Sequence, residues 1–308
     1  MTYSSRRGGS LDLGDRVTLF DRIAFSSPSA VIHDPVRDVY WVSNTNSGAT
    51  DRAGRGFISR LDPEGGLSTL NFIDSRGTDV MLNSPRGLAV AGDTLFVADI
   101  SAIRKFSAVD GAALGSIEIP GARFLSDVAA SADGTLYAVD VGGDPNMAEV
   151  PEERTDAVYQ IASSGEVTTV ARRADLGGPF ALIADETGLW ITCTSSADLV
   201  LLIPGAGDGN APDAGRLELP NTPQGLAAMP DGTLLISSIS EGVVYRGFRD
   251  GPFAPIVGDL ESPADLGYDA KRKRLLIPLF SGHALAIFEL APLPSGSRPP
   301  PQDTKPAP

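Results

Sequence analysis

Along the chain, apolar and polar residues alternate in short runs, and nearly every run is closed by Asp, Gly or Pro. The first four are SAVIHD, DVYWVSN, GFISRLD and LSTLNFI. Their period of two and their β-branched and aromatic content predict strands, and the closing residues supply turn chemistry. Asp-Gly pairs at Asp133-Gly134 and Asp231-Gly232 predict tight turns between consecutive strands. Helical periodicity is sustained nowhere, so the chain reads as all-β.

The strand groups repeat. A phrase of the form x-P-x-x-apolar, followed by D-G-x-L-apolar-V-x-D, appears in variants from Ser27, Ser84, Phe124, Gly178, Thr222 and Ser262. Its second residue is Pro28, Pro85, Leu125, Pro179, Pro223 or Pro263, at spacings of 57, 40, 54, 44 and 40 residues. A recurring unit of roughly 40–50 residues is one propeller blade. Six copies predict a six-bladed β-propeller of four-stranded blades over residues 15–291. The last copy is one strand short, and the strand-like segment 15–25 is expected to supply the outer strand of that blade. Closing the ring in this way removes exposed sheet edges. Residues 1–14 are read as a flexible N-terminus, and 292–308, rich in proline, as a disordered tail.

Loop lengths point to one rim. The connections between second and third strands are expanded at 44–56 and 141–156, and in a propeller both lie at the end where inner strands begin. A third insertion, 205–215, belongs to the opposite face. Extended loops on one rim of a rigid scaffold are where sites are usually found.

Charge and composition narrow the partners. A net charge of −14 argues against nucleic acid, since phosphate recognition needs a basic surface. No run approaches a membrane span, and the N-terminal MTYSSRRGGSLDLGD has no apolar run after its arginines. A soluble monomer is therefore expected, cytoplasmic by default, or periplasmic or secreted if a leader was removed. The single cysteine, Cys193, excludes an intramolecular disulfide and reads as a small buried hydrophobe.

With SPADLGYDAKRKRLLIPLF from Ser262, the six phrases resemble those of the SMP-30/gluconolactonase/LRE-like superfamily of six-bladed propellers, over roughly 14–291. The resemblance implies a lactonase with a divalent cation in the central channel, held by a Glu, two Asn and an Asp. Position by position, the family's Glu-Gly-Pro opening falls on Ser27, Pro28 and Ser29. Its Pro-Asn-Asp element falls on Leu125, Ser126 and Asp127, so the aspartate stays while serine replaces asparagine. Its Asn-Gly and Asp-Gly elements fall near Phe180-Ala181 and Gln224-Gly225.

Aligning the inner-strand starts gives one layer of Ser29, Arg86, Ser126, Phe180, Gln224 and Ala264. The next layer is Ala30, Gly87, Asp127, Ala181, Gly225 and Asp265. Two carboxylates in an otherwise small, uncharged layer are the sharpest local signal. Asp127 and Asp265 are the candidate ligands for Ca²⁺ or Mg²⁺, unless Arg86 pairs with one of them. Arg86, Gln224, Asn44 and Ser126 are the candidate substrate-binding residues. His283, in a turn of the last repeat on the mouth side, is the candidate general acid or base, with Asp127. His33, at the far end of its strand, reads as structural, Asp99 and Asp140 as turn caps, and Glu149, Glu152 and Glu153 as a solvated face.

Two functions follow. One is a hydrolase of a lactone or ester with a variant metal site, in which the cation polarises the carbonyl and no organic cofactor takes part. The other is a non-catalytic propeller binding a small ligand or protein partner at the mouth. A strictosidine-synthase-like condensation site fits the residues least well.

Overall fold

The computed structural model describes residue 20 and residues 23–46, 54–66, 68–75, 81–143, 156–205, 209–220 and 222–293, with backbone strands at 3–4, 10–11 and 16–17. The loop tips 47–53 and 144–155, with Glu149, Glu152 and Glu153, lie outside the described residues, as do the tail from 294 and residues 206–208 of the third insertion.

Six antiparallel four-stranded sheets form the blades of a ring. Blade 1 runs Pro28–Asp34, Val39–Asn44, Phe57–Leu61 and Thr69–Asp74 from the inside outward. The inner strands of the next four blades are Pro85–Ala91, Leu125–Ala130, Pro179–Asp185 and Pro223–Ala228. Each of those blades adds three further strands in sequence order. The first strands of neighbouring blades pack side by side around the central channel. One 3₁₀ turn, Ala174–Leu176, is the only helical element among the described residues, and no helix there is long and apolar enough to cross a membrane.

Blade 6 has inner strand Gly267–Asp269, then Arg274–Leu279 and Ala284–Glu289. Its fourth strand comes from the other end of the chain: Arg16–Val17 pairs antiparallel with Phe288 and Ile287. The closing strand expected from segment 15–25 is therefore present, though only two residues long. Residues 1–14, read as flexible, include a short pairing of Tyr3–Ser4 with Ser10–Leu11.

Alternation places one set of side chains against each neighbouring blade. Trp41 is fully buried between blades 1 and 2, with its ring 5.3 Å from Phe72. Tyr159 and Ile103 play the same part between blades 2 and 3. Each such side chain removed from water contributes roughly 2–3 kcal/mol, so the ring is held mainly by these inter-blade layers.

The seam between blades 6 and 1 has a polar fastening at each face. On the turn face, Arg272 bonds Asp38 at 2.7 and 2.8 Å, Asp269 at 3.0 Å, and Glu64. The Tyr40 hydroxyl donates to Asp269 at 2.7 Å. His33 lies between Asp38 and Asp269, at 3.2 and 3.4 Å, as its structural reading requires. Burial alone would raise the Asp269 carboxyl, but the bonds from Tyr40 and Arg272 outweigh it and hold the group below the usual carboxylate range.

Candidate functional site

Inner strands enter the ring through an irregular step. Their ladders with the second strands slip between Pro28 and Ala30, Leu125 and Asp127, and Pro179 and Ala181. Longer slips run from Pro85 to Leu88 and from Pro223 to Leu226. A bulge leaves one residue out of the ladder and re-aims its neighbours. The first predicted layer, including Ser29, Ser126 and Phe180, falls on these bulges. Hydroxyls of the second strands satisfy the freed amides: Ala30 N–H donates to Ser43 Oγ at 3.0 Å, Ala181 to Thr192 Oγ1 at 3.2 Å, and Gly225 to Ser237 Oγ at 2.8 Å.

Directly below lie Asp127 and Asp265, in one layer as the repeat alignment predicts. Asp127 is 5% exposed. Its Oδ1 accepts the Val128 N–H at 2.7 Å, and its Oδ2 accepts the Leu182 N–H of blade 4 at 2.8 Å. Asp265 Oδ1 accepts the Leu226 N–H of blade 5 at 3.2 Å. The Asp265 N–H donates to the Ser29 carbonyl of blade 1 at 3.0 Å. Each aspartate thus ties its own inner strand to a neighbour.

Glycine makes the layer possible. A methyl group on Gly87 would sit 1.9 Å from Asp127 Oδ1 and 2.5 Å from its Cα. One on Gly225 would sit 2.5 Å from the Ala264 carbonyl oxygen and 2.7 Å from Asp265 Cα. Only residues without a Cβ allow inner strands this close. The two glycines stand in the same layer as the two aspartates, a signal that points to the pair as much as the acids do.

Electrostatics follow from this confinement. Burial pushes Asp127 well above the usual carboxylate range, and the charge of Asp265 adds to the rise, while the N–H groups of Leu182 and Val128 oppose it. Burial carries Asp265 up to about 7, against the opposing N–H bonds of Leu226 and Leu266. Like charges close together in one site oppose each other's ionisation, which favours the protonated forms of the pair relative to isolated carboxyls.

A cavity of about 300 Å³ opens from this layer toward the turn face, where first strands end. Asp127 and Asp265 form its inner end, and Ala130, Ala228, His33 and Tyr268 lie at its outer end.

The remaining predicted residues occupy other roles. Asn44 is fully buried, and its amide accepts the Ser26 N–H at 3.1 Å and donates to Ser59 Oγ at 3.1 Å, bonds that brace blade 1. The Ser126 hydroxyl donates to the Pro179 carbonyl at 3.3 Å and clasps blade 3 to blade 4. The guanidinium of Arg86, buried in the first layer, lies 4.3 Å from the ring centre of Phe124, a cation–π stack. Gln224, at the corresponding step of blade 5, is half-buried. His283 is exposed, with φ at 50°, and its Nδ1 accepts the Ser27 N–H at 2.9 Å. That bond is the seam's fastening on the mouth face, so the imidazole expected to move protons holds blade 6 to blade 1. Asp99 and Asp140 cap turns, accepting the N–H groups of Asn83 and Ser84, and of Arg123, Phe124 and Gly142. Burial pushes the Cys193 thiol up to about 12, as suits an inert core residue.

The metal implied by the family resemblance does not fit these donors. The carboxylates supply two ligands, while the other positions of their layer are Ala30, Gly87, Ala181 and Gly225. Among the described residues, no group of three His, Cys, Asp or Glu side chains is placed to hold an ion. A hard cation such as Ca²⁺ takes six to eight oxygens.

The ring, its bulged inner strands and its channel define a six-bladed β-propeller. The structure is similar to a gluconolactonase from Xanthomonas campestris, with 19% identity, TM-score 0.65 and 91% of each chain covered. It is similar also to a putative gluconolactonase, at 17% identity and TM-score 0.65, covering 90% of this chain and 94% of that one. A streptogramin B lyase aligns at 11% identity and TM-score 0.63, over 92% of this chain and all of the other. No protein-family model and no curated protein sequence matches the chain.

Proposed function

We propose that the protein hydrolyses a lactone or small ester in its central channel, with Asp127/Asp265 as a carboxyl pair that shares one proton. The observation that carries this reading is the placement of two carboxyls at one cavity, in a layer cleared by Gly87 and Gly225. Its support from comparison is the shared fold with gluconolactonases.

In such a pair the ionised carboxyl is a base and the protonated one an acid. The base takes a proton from water as its oxygen bonds to the carbonyl carbon. The acid protonates the alkoxide as the C–O bond breaks, and the product is a hydroxy acid, or an acid and an alcohol. General acid and base catalysis of this kind contributes roughly 10²–10⁴-fold each. No step runs through a metal.

The test is a panel of lactones and aryl esters assayed with and without chelator, for the wild type and for Asp127→Asn and Asp265→Asn. The expected result is chelator-insensitive turnover, lost at least 100-fold in either variant. Chelator-sensitive turnover would return the pair to the role of cation ligands. The non-catalytic reading is favoured by one observation, that Asn44, Ser126 and His283 are all engaged in structural bonds. Absence of any turnover across the panel decides for it.

A further inference from the structure

We infer that the crevice between blades 2 and 3, at the turn face, is a second binding site, and that it takes a small organic carboxylate with a compact apolar body. Its cavity, about 300 Å³, shares no lining residue with the cavity of the central channel, so the inference stands apart from the hydrolase reading.

Small residues open the crevice. Blade 3 contributes two turns, one at Gly134 and one at Ser163, Ser164 and Gly165. Both glycines have positive φ, 85° and 87°, and a Cβ on either would meet nothing within 4 Å. Blade 2 contributes Phe96 and Lys105, which stand opposite each other on adjacent strands. On its other side Lys105 faces Gly115, which adds no side chain to cover it. The outer ladder slips here, between Lys105 and Phe106, and leaves Leu114 as the extra residue.

Lys105 gives the charge. It is the fourth residue of its blade's third strand, where blades 1 and 5 also carry a cation, Arg60 and Arg246. Those two are engaged. Arg60 lies over the rings of Trp41 and Phe72, at 5.9 and 5.3 Å, and Arg246 bonds Asp231, Thr233 and the Ala291 carbonyl. Lys105 is half-buried and, among the described residues, has no hydrogen bond or ion pair. The chain carries 39 Asp and Glu against 25 Lys and Arg, yet none of those acids lines this cavity. Asp133, next to the Gly134 turn, instead accepts the Ser131 hydroxyl at 2.6 Å and the Thr135 N–H at 3.0 Å. An ammonium partly withdrawn from water without a counter-ion favours an incoming anion.

The wall gives the body of the ligand. Leu114 is 48% exposed, and Phe96 and Ile117 are half-buried, so all three present apolar surface where they line the cavity. Thr94, Ser163 and Ser164 add hydroxyl donors for the anion's oxygens. One lysine beside an apolar wall suits a monocarboxylate; a phosphate dianion would find a single cation on an acidic protein. The volume is at the lower end for ligand pockets, which limits the body to about one ring.

The experiment is a ligand-detected NMR titration at low ionic strength with benzoate, benzyl alcohol and inorganic phosphate. Benzoate should bind saturably, and the alcohol and phosphate about tenfold more weakly or worse. Lys105→Gln should weaken benzoate at least about tenfold, while Lys105→Arg stays within about threefold of the wild type. Blade 3 carries Gln160 at the same position of its third strand, so the glutamine is compatible with a blade, and the unfolding temperature should not change. Leu114→Ser should weaken benzoate at least about threefold.

Benzoate affinity unchanged in Lys105→Gln places the ligand elsewhere, the central channel included, and overturns the inference. So does the absence of saturable benzoate binding. Phosphate bound as tightly as benzoate, or full affinity in Leu114→Ser, overturns the apolar body.

Discussion

Replacing Asp265 with asparagine removes a charge that the fold holds in unfavourable surroundings, and the effect on stability has a defined pH signature. Burial carries this carboxyl from its ordinary 3.8 to about 7 in the folded state. Below 3.8 the folded and unfolded chains both carry the proton, and aspartate and asparagine behave alike. Between 3.8 and about 7 the unfolded chain ionises and the folded one does not, so the wild type loses about 1.4 kcal/mol of stability for each pH unit. Above about 7 the loss levels off at about 4 kcal/mol. A raised folded-state pKa thus gives stability that is present in acid and lost as pH rises. Asp265→Asn has no such loss. Its advantage over the wild type should grow from near zero at pH 4 to about 4 kcal/mol at pH 8. Urea unfolding followed by the fluorescence of Trp41 and Trp190 measures both proteins at both pH values. An advantage that is the same at pH 4 and pH 8, or below about 1 kcal/mol at pH 8, refutes the reasoning. It would mean that Asp265 is ionised throughout and balanced by a cation.

Gly87→Ala drives a methyl group into Asp127 and should destabilise the ring by about 3 kcal/mol, seen as a lower unfolding midpoint together with lost turnover. His283→Ala should cost about 1 kcal/mol, the worth of its bond to the Ser27 amide, and leave kcat unchanged; a fall of 100-fold or more would restore its catalytic role. Arg272→Ala leaves the fully buried Asp269 without its guanidinium and should destabilise by about 3 kcal/mol at pH 7. Because the Asp269 carboxyl is held low, that penalty is present above the ordinary carboxylate pKa and fades as pH falls through and below it. Paired melts at pH 7 and pH 3 read it directly.

The ring was legible in the chain because each blade repeats the same alternation and turn residues, and the closing strand because one repeat lacks a partner. Asp127 and Asp265 could be placed in one layer because that needs only the phase of each repeat. What the repeats do not encode is direction. At a bulge the side chain is re-aimed by a slip in the ladder, so which end of the channel the carboxylates serve depends on pairings such as Leu125 with Asp140 and Asp127 with Val139. The structural bonds of Asn44 and His283 escape the sequence for a related reason. Their partners, Ser26, Ser59 and Ser27, come from other strands or from the opposite end of the chain. A polar side chain at a rim looks the same in sequence whether it awaits a ligand or braces an amide. Gly87 and Gly225 carried usable information, since a glycine in phase with an aspartate marks a backbone drawn in close.

The strand that completes blade 6 sets a schedule for synthesis. Val17 leaves the ribosome about 270 residues before Ile287 and has no partner until that residue follows. At roughly 5–20 residues per second that interval is about 14 to 54 s, during which five blades can form in an arc with both flanks open. The last contact made is the one that spans nearly the whole sequence, and in such topologies that step is the slow one. A nascent chain stalled before Ala284 should therefore bind chaperones or associate through its open flanks, and release from that stall should convert the arc to a ring in a single late event.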